Sequence, residues 1–338
     1  MKLICGPMAT LSHPAFRILV EKFGGCDEYF TEMINAGTLI TNGPFEKYYL
    51  DASPVPQKIV WQLTSKNTPL MIQAAQKIIE LPGIGLDLNM GCSAPDIYRT
   101  GAGIGWMLKP ISETEEMVRS VAKIVEEYNK TAQNKKRFSV KLRLGDDNFT
   151  DDSFFDFCKM LVDCGVQLLT LHPRTKKEKL RLPARYEYCQ KLKEKFPQTQ
   201  IYLNGNVCDE NSLHNALLKA PSVDGVMIAR ASVQKPWIFK ELKEKTDKKS
   251  AENGGQKILE VDMQKIALDF ISDVEKYQPV EFWPTRLQRF FGMFCMNFMF
   301  SHYAQTQFLN AKDNEDLRAR INDFFEKCPE EKIKKIEI

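Results

Sequence analysis

The sequence predicts an α/β protein: a (β/α)8 TIM barrel over residues 1–242, followed by a small all-helical domain. Three observations carry this. Short apolar runs alternate with amphipathic helical stretches, giving eight βα units within residues 1–242. The runs are apolar on both faces, as expected of strands covered on both sides. After Leu242 the β-like runs stop and helical periodicity takes over.

The strand candidates are Lys2–Met8, Glu28–Met33, Lys58–Leu63, Ile84–Met90, Phe138–Gly145, Leu168–Arg174, Ile201–Val207 and Gly225–Ala231. Helical patterns between them include Pro69–Leu81, Ser112–Asn129, Ser153–Cys164 and Arg185–Phe196. Ser112 reads as an N-cap, with Glu115 three residues on and an apolar stripe at Met117, Val121 and Val125. The connection Asn35–Gln57 is longer than the others and contains Gly and Pro, a length that on a barrel often carries function. Residues 243–257, KEKTDKKSAENGGQK, are charged and read as a linker. Residues 258–338 read as helical, with a stripe at Ile266, Phe270 and Val274. FFGMFCMNFMF at 290–300 reads as a buried helix.

Composition sets bounds. The chain has 338 residues, 43% hydrophobic and 27% charged, ordinary for a soluble globular protein. A net charge of +3 means that any basic surface is local. The nine cysteines are scattered and form no CxxC pair, which excludes a disulfide framework and a thiolate zinc site. His13, His172, His214 and His302 have no metal-ligand spacing, so no metal is expected. MKLICGPMATLSHP is too short in apolar residues for a signal peptide, and no run reaches the ~18 apolar residues of a membrane helix. A cytoplasmic monomer with reduced thiols is the expectation.

In such a barrel the chemistry sits at the C-terminal ends of the strands. There the sequence places Gly6-Pro7-Met8, Gln62, Asn89-Met90-Gly91-Cys92, Lys141 with Arg143, His172-Pro173-Arg174, Asn204-Gly205-Asn206 and Ala229-Arg230. Taken singly, Lys141 reads as a salt-bridge partner and His172 as a satisfied core histidine. Seven polar ends on one rim read instead as the lining of a large polar ligand, because unmatched buried polar groups are costly. The loops after the last two strands commonly form a phosphate site, where Gly205 allows close backbone approach and Arg230 offers charge. Lys141 and His172 beneath a flat ring suit a flavin, whose anionic reduced form a nearby cation stabilises. GAGIG at 101–105 follows no strand, so it reads as a turn into a short helix rather than a dinucleotide fingerprint.

GPM at 6–8, DLNMGC at 87–92, VKLR at 140–143, HPRT at 172–175, NGN at 204–206 and MIARA at 227–231 resemble, in order and spacing, the tRNA-dihydrouridine synthases. The resemblance covers residues 1–242, and the helical domain matches that family's tRNA-binding domain in kind. It implies FMN held by Pro7, Met8, Gln62, Lys141, His172, Asn204, Gly205, Asn206, Ala229 and Arg230, with NADPH as reductant. It implies Asn89 on the uracil and Cys92 as the general acid. The chain departs from the family pattern at Ser93, Pro173, Asn206 and Ala229, where Pro, Gly, Asp and Gly are usual.

These roles explain a thiol placed just past a strand. If hydride arrives at C6 of uracil, a proton must reach C5 from the other face. An ordinary thiol is mostly protonated at neutral pH and can donate it. A nucleophilic role is the weaker reading, since no base neighbours Cys92 in sequence. The implied partner is tRNA, whose target base must be flipped into the pocket. Tyr98, Arg99, Arg143 and Arg174 are candidates for the base and its phosphates, and Arg286 and Arg289 for further phosphates. Two alternatives stay open: a dihydroorotate-type dehydrogenase acting on a free pyrimidine, and a non-catalytic FMN-containing tRNA-binding protein.

Overall fold

The computed structural model describes residues 1–146, 148–178, 181–248 and 257–338. They form two compact units: Met1–Pro7, Asp27–Val207 and Asn211–Ile228 make the first, and Met8–Cys26, Cys208–Glu210 and Ala229–Ile338 the second.

The first unit holds nine strands: β1 (Lys2–Cys5), β2 (Glu28–Phe30), β3 (Ile34–Asn35), β4 (Ile59–Thr64), β5 (Gly85–Met90), β6 (Arg137–Arg143), β7 (Leu168–His172), β8 (Gln200–Asn204) and β9 (Gly225–Ile228). They pair in the order β2-β1-β9-β8-β7-β6-β5-β4, and β2 also pairs with β4. The ladder therefore closes into an eight-stranded parallel barrel, as the sequence predicts. The short β3 adds to the end of β4. It opens the long connection, which continues through the helices Ala36–Ile40 and Glu46–Tyr49.

Ile4, Phe30, Val60, Leu168, Tyr202 and Met227, drawn from six strands, pack as one buried cluster. Arg137 of β6 reaches Glu28 of β2 and Tyr202 of β8, strands that do not neighbour it. That face of β6 therefore looks into the barrel. By the two-residue period of a strand, Ser139, Lys141 and Arg143 lie on the same face. Asp87, which bonds Ser139, places Asp87 and Asn89 of β5 there too.

The helix expected from Ser112 begins at Ile111, directly after Pro110, and runs to Thr131. Ser112 lies inside it, so it is not the cap. The proline ahead of it sets the helix start. A reciprocal cap occurs instead at Thr150, whose hydroxyl accepts from the Ser153 amide at the head of Asp151–Asp163.

The second unit contains the helices Met263–Tyr277, Trp283–Phe294, Ser301–Leu309 and Asn314–Lys327. Phe270 stacks on Phe290 at 3.8 Å between ring centroids, and Phe298 meets Phe324 at 5.1 Å. The helical expectation holds, with one addition. Strands β10 (Ile258–Asp262) and β11 (Ile333–Glu337) pair antiparallel and bracket the helices. The run at 290–300 is α-helical to Phe294 and continues as a 3-10 helix over Cys295–Asn297, and Met299 and Phe300 beyond it are exposed. Of the expected linker 243–257, residues 243–248 continue the helix Ile238–Lys248, and 249–256 lie outside the described residues. No helix among the described residues is long and apolar enough to cross a membrane.

Candidate active site

The C-terminal ends of β4 to β8 bring a connected set of polar side chains together. Asn89 begins the connection. Its Oδ1 accepts from the backbone amides of Gly91, at 3.2 Å, and Cys92, at 3.0 Å. This fixes the amide's orientation, because two donors can face only the oxygen. Asn89 Nδ2 therefore donates, at 2.8 Å, to Gln62 Oε1. Gln62 Nε2 donates at 2.7 Å to Asp87 Oδ2, and Ser139 Oγ donates at 2.6 Å to the other carboxylate oxygen. Gln62 and Asp87 are fully buried. One N–H of Asn89 and one of Gln62 remain for a ligand.

Cys92 follows this strand end in a turn and is half-buried. GAGIG forms a turn into the 3-10 helix Gly103–Met107, as expected. Its middle glycine packs directly on the cysteine: a Cβ on Gly103, at φ +57°, would lie 2.7 Å from the Cys92 carbonyl oxygen and 3.0 Å from its Cβ. Only glycine fits there.

Lys141 is half-buried beside Asn89 in register. Among the described residues its Nζ makes no hydrogen bond or ion pair. Burial, and then the charge of Arg143, hold its pKa down to about 8 against the pull of Asp87. Burial pushes the Asp87 carboxyl up to about 6, opposed by its bonds from Ser139 and Gln62. A cation without a hydrogen bond among the described residues and a buried carboxylate on adjacent strands are the kind of arrangement found at ligand sites.

On β7, Arg174 Nη1 lies 2.7 Å from His172 Nε2. A guanidinium only donates, so that nitrogen accepts and Nδ1 carries the ring proton. Gly205, at φ +132°, lies against this pair: a Cβ there would be 3.1 Å from His172 Cδ2 and 3.2 Å from Arg174 Nη1. Asn204 Nδ2 donates to the Met227 carbonyl at 2.9 Å, and Asn206, at φ +57°, is exposed. Pro7, just past β1, is half-buried.

Arg143 and Arg174, expected on the rim as candidates for the base and its phosphates, are engaged by the protein's own carbonyls. Arg174 is fully buried, and its Nε donates to the Leu182 carbonyl. Arg143 is buried and donates to the carbonyls of Gly91, at 3.1 Å, and Thr175, at 3.2 Å. Burial, and then the Arg174 charge, lower its pKa to about 10. Both serve the protein's own loops, because the chain folds back over the strand ends. Tyr98 is half-buried, with Lys176 Nζ 4.6 Å from its ring centre, and Arg99 is exposed. Lys176, which sequence reasoning missed, also pairs with Asp146.

Met8, Ala229 and Arg230 belong to the second unit. The Met8 amide donates to Ser12 Oγ at 2.9 Å, and Arg230 is exposed at the head of Arg230–Gln234. Arg286 is buried over the Phe282 ring, a correction to its expected phosphate contact, whereas Arg289 is exposed.

Residues 3–329 match the family described as dihydrouridine synthase (Dus). The chain belongs to the dihydrouridine synthase family. It is 32% identical over 248 residues to a probable tRNA-dihydrouridine synthase of Aquifex aeolicus, covering 73% of this chain and 74% of that one. It is 25% identical over 328 residues to probable tRNA-dihydrouridine synthase 2 of Bacillus subtilis, covering 95% and 93%. Dihydrouridine synthases are flavin-dependent oxidoreductases that act on tRNA, and this chain is an enzyme of that family. The site fits a flavin on its own terms. Among the described residues it offers a cation without a hydrogen bond at Lys141 and two unused amide N–H groups, on Asn89 and Gln62.

Proposed function

We propose that this enzyme reduces specific uridines of tRNA to 5,6-dihydrouridine, with FMN as cofactor, NADPH as electron source and Cys92 as general acid. The observation that carries the proposal is the grip of Asn89 on the Cys92 amide, with an unpaired Lys141 beside it in register.

Gln62, Lys141, His172, Asn204, Gly205 and Asn206 would hold the flavin in the first unit, with Pro7. When bound, the flavin supplies hydride to uracil C6. Lys141 holds positive charge where negative charge develops. The spare Asn89 N–H donates to a carbonyl on the uracil edge and orients the ring. The Cys92 thiol gives its proton to C5, the new C–H bond forms and the S–H bond breaks. Sγ is left as thiolate and takes up a proton from solvent. Tyr98 and Arg99 lie on the helix that follows Cys92 and would meet the flipped nucleotide.

We assign catalysis to the barrel and tRNA binding to residues 258–338. We read the enzyme as a cytoplasmic monomer. The test is incubation of the purified protein with FMN, NADPH and unmodified tRNA, followed by nucleoside mass spectrometry. Dihydrouridine should appear only with all three present. Reduction of a free pyrimidine with tRNA unchanged overturns the proposal. So does FMN binding with no turnover on any tRNA.

A further inference from the structure

Four polar groups run in one line beneath the site: Ser139, Asp87, Gln62 and Asn89, ending on the Gly91 and Cys92 amides. Every bond in the line has one allowed direction. The two backbone donors force Asn89 Oδ1 toward the turn. Asn89 Nδ2 then faces Gln62, so Gln62 must turn its oxygen to Asn89 and its nitrogen to residue 87. Residue 87 must therefore accept. A second donor there would leave two N–H groups facing each other in a buried place, and Gln62 would flip.

We propose that Asp87 is a positioning residue: acting through Gln62 and Asn89, it fixes the direction of this line and so sets where the turn presents the Cys92 thiol. Asp87 does not touch Cys92 in sequence or by hydrogen bond, and no role in the chemistry needs it to touch substrate. Its burial and the two donors aimed at its separate oxygens fit a group held for its acceptor oxygens. The same line joins Gln62, on the cofactor side, to Asn89, on the base side. The functional meaning of the line rests on the proposed function, whereas the line itself does not.

A rival role for Asp87 is its negative charge, which acts on Lys141. Substitutions separate the two. In Asp87→Asn the charge is lost, but the new amide can point its oxygen at Gln62 and its nitrogen at the rotatable Ser139 hydroxyl, so the direction survives. In Asp87→Leu the acceptor is lost. Asn89→Asp puts an acceptor where Gln62 also presents one. Adding Asp87→Asn to it lets Gln62 flip: its nitrogen then donates to residue 89 and its oxygen accepts from residue 87, so the two Gln62 bonds reverse while the bonds from the Gly91 and Cys92 amides and from Ser139 keep their direction.

The readout is the rate at which iodoacetamide modifies Cys92, followed by peptide mass spectrometry in the purified full chain without tRNA. The exposed Cys208 serves as internal reference, and melting temperature reports folding. Asp87→Asn should leave the Cys92 rate within about two-fold of the parent. Asp87→Leu and Asn89→Asp should each change it by about ten-fold, the usual consequence of a stranded buried group. The Asp87→Asn, Asn89→Asp pair should return it to within about two-fold. If Asn89→Asp gives no folded protein, recovery of folded protein by the second substitution is the same result read by yield. The proposal is overturned if Asp87→Asn behaves like Asp87→Leu. It is equally overturned if the effect of Asn89→Asp is indifferent to residue 87. Absence of dihydrouridine formation leaves this alkylation pattern standing, and an altered pattern leaves the tRNA assay standing, so the two claims fail separately.

Discussion

The two ends of the barrel interior each bury a carboxylate, and they treat it in opposite ways. At the N-terminal end Glu28 accepts from Arg137, from Lys2 at 2.7 Å and from the Tyr202 hydroxyl at 2.9 Å. Burial pushes its pKa up, but the Arg137 and Lys2 partners overcome this and hold it below the usual carboxyl value. At the C-terminal end Asp87 has only neutral partners within bonding distance, and its pKa stands at about 6. The nearby cation, Lys141, is left without a hydrogen bond. One end pairs its charges with its own residues, leaving Arg137 Nε as a buried atom with no hydrogen bond among the described residues, and acts as a plug. The other has left charges and N–H groups for something else to satisfy. The difference singles out the C-terminal end as the one arranged to take a ligand.

This contrast breaks most visibly at the plug. Glu28→Gln strands Arg137 and should cost about 3–5 kcal/mol in chemical denaturation, as removal of one partner of a buried pair does. The folded fraction should still bind FMN. Because the Glu28 pKa is depressed, its contribution is full above the unfolded value and is lost as pH falls through the folded one. Parent and variant should therefore converge in acid.

Asp87 should show the reverse sign. A carboxyl carried from 3.8 to about 6 disfavours the folded state by about 3 kcal/mol once ionised. That cost grows as pH rises from about 4 through 6. Asp87→Asn, measured by melting across pH 4 to 7, should gain on the parent over that window. A constant difference across the window contradicts the contrast between the ends.

Lys141→Ala should weaken FMN binding by about ten- to hundred-fold, the worth of one charged hydrogen bond. In the free parent protein the Lys141 charge is lost as pH rises through about 8. FMN affinity should therefore decline above that pH in the parent and not in the variant. Fluorescence titration of FMN at several pH values reads both.

Much of this was legible in the sequence. Apolar runs located all eight barrel strands, and the polar strand ends pointed to the rim where Gln62, Asn89 and Cys92 are joined by hydrogen bonds. The expected strands ran past the observed ends, as at Gly145 and Val207, since the loops continue in apolar residues. β10 and β11 were not legible. IKKIE at 333–337 has a helix-like composition, and its pairing comes from residues some 75 positions away. The burial of Arg143 and Arg174 was not legible, because no local pattern reveals that loops close over them. Asp87 was visible as a polar residue between Leu86 and Leu88, but its role needed Gln62, 25 residues earlier in the chain.

The central claim is that the C-terminal end is arranged around a proton delivered by Cys92. The direct measurement is rapid mixing of the NADPH-reduced protein with tRNA, followed by flavin absorbance, for the parent and Cys92→Ala. Reduction by NADPH should proceed in both. Reoxidation by tRNA should slow in Cys92→Ala by about 10²–10⁴-fold, the usual worth of one general acid. Reoxidation of the variant at the parent rate would make Cys92 an ordinary turn residue and contradict the account.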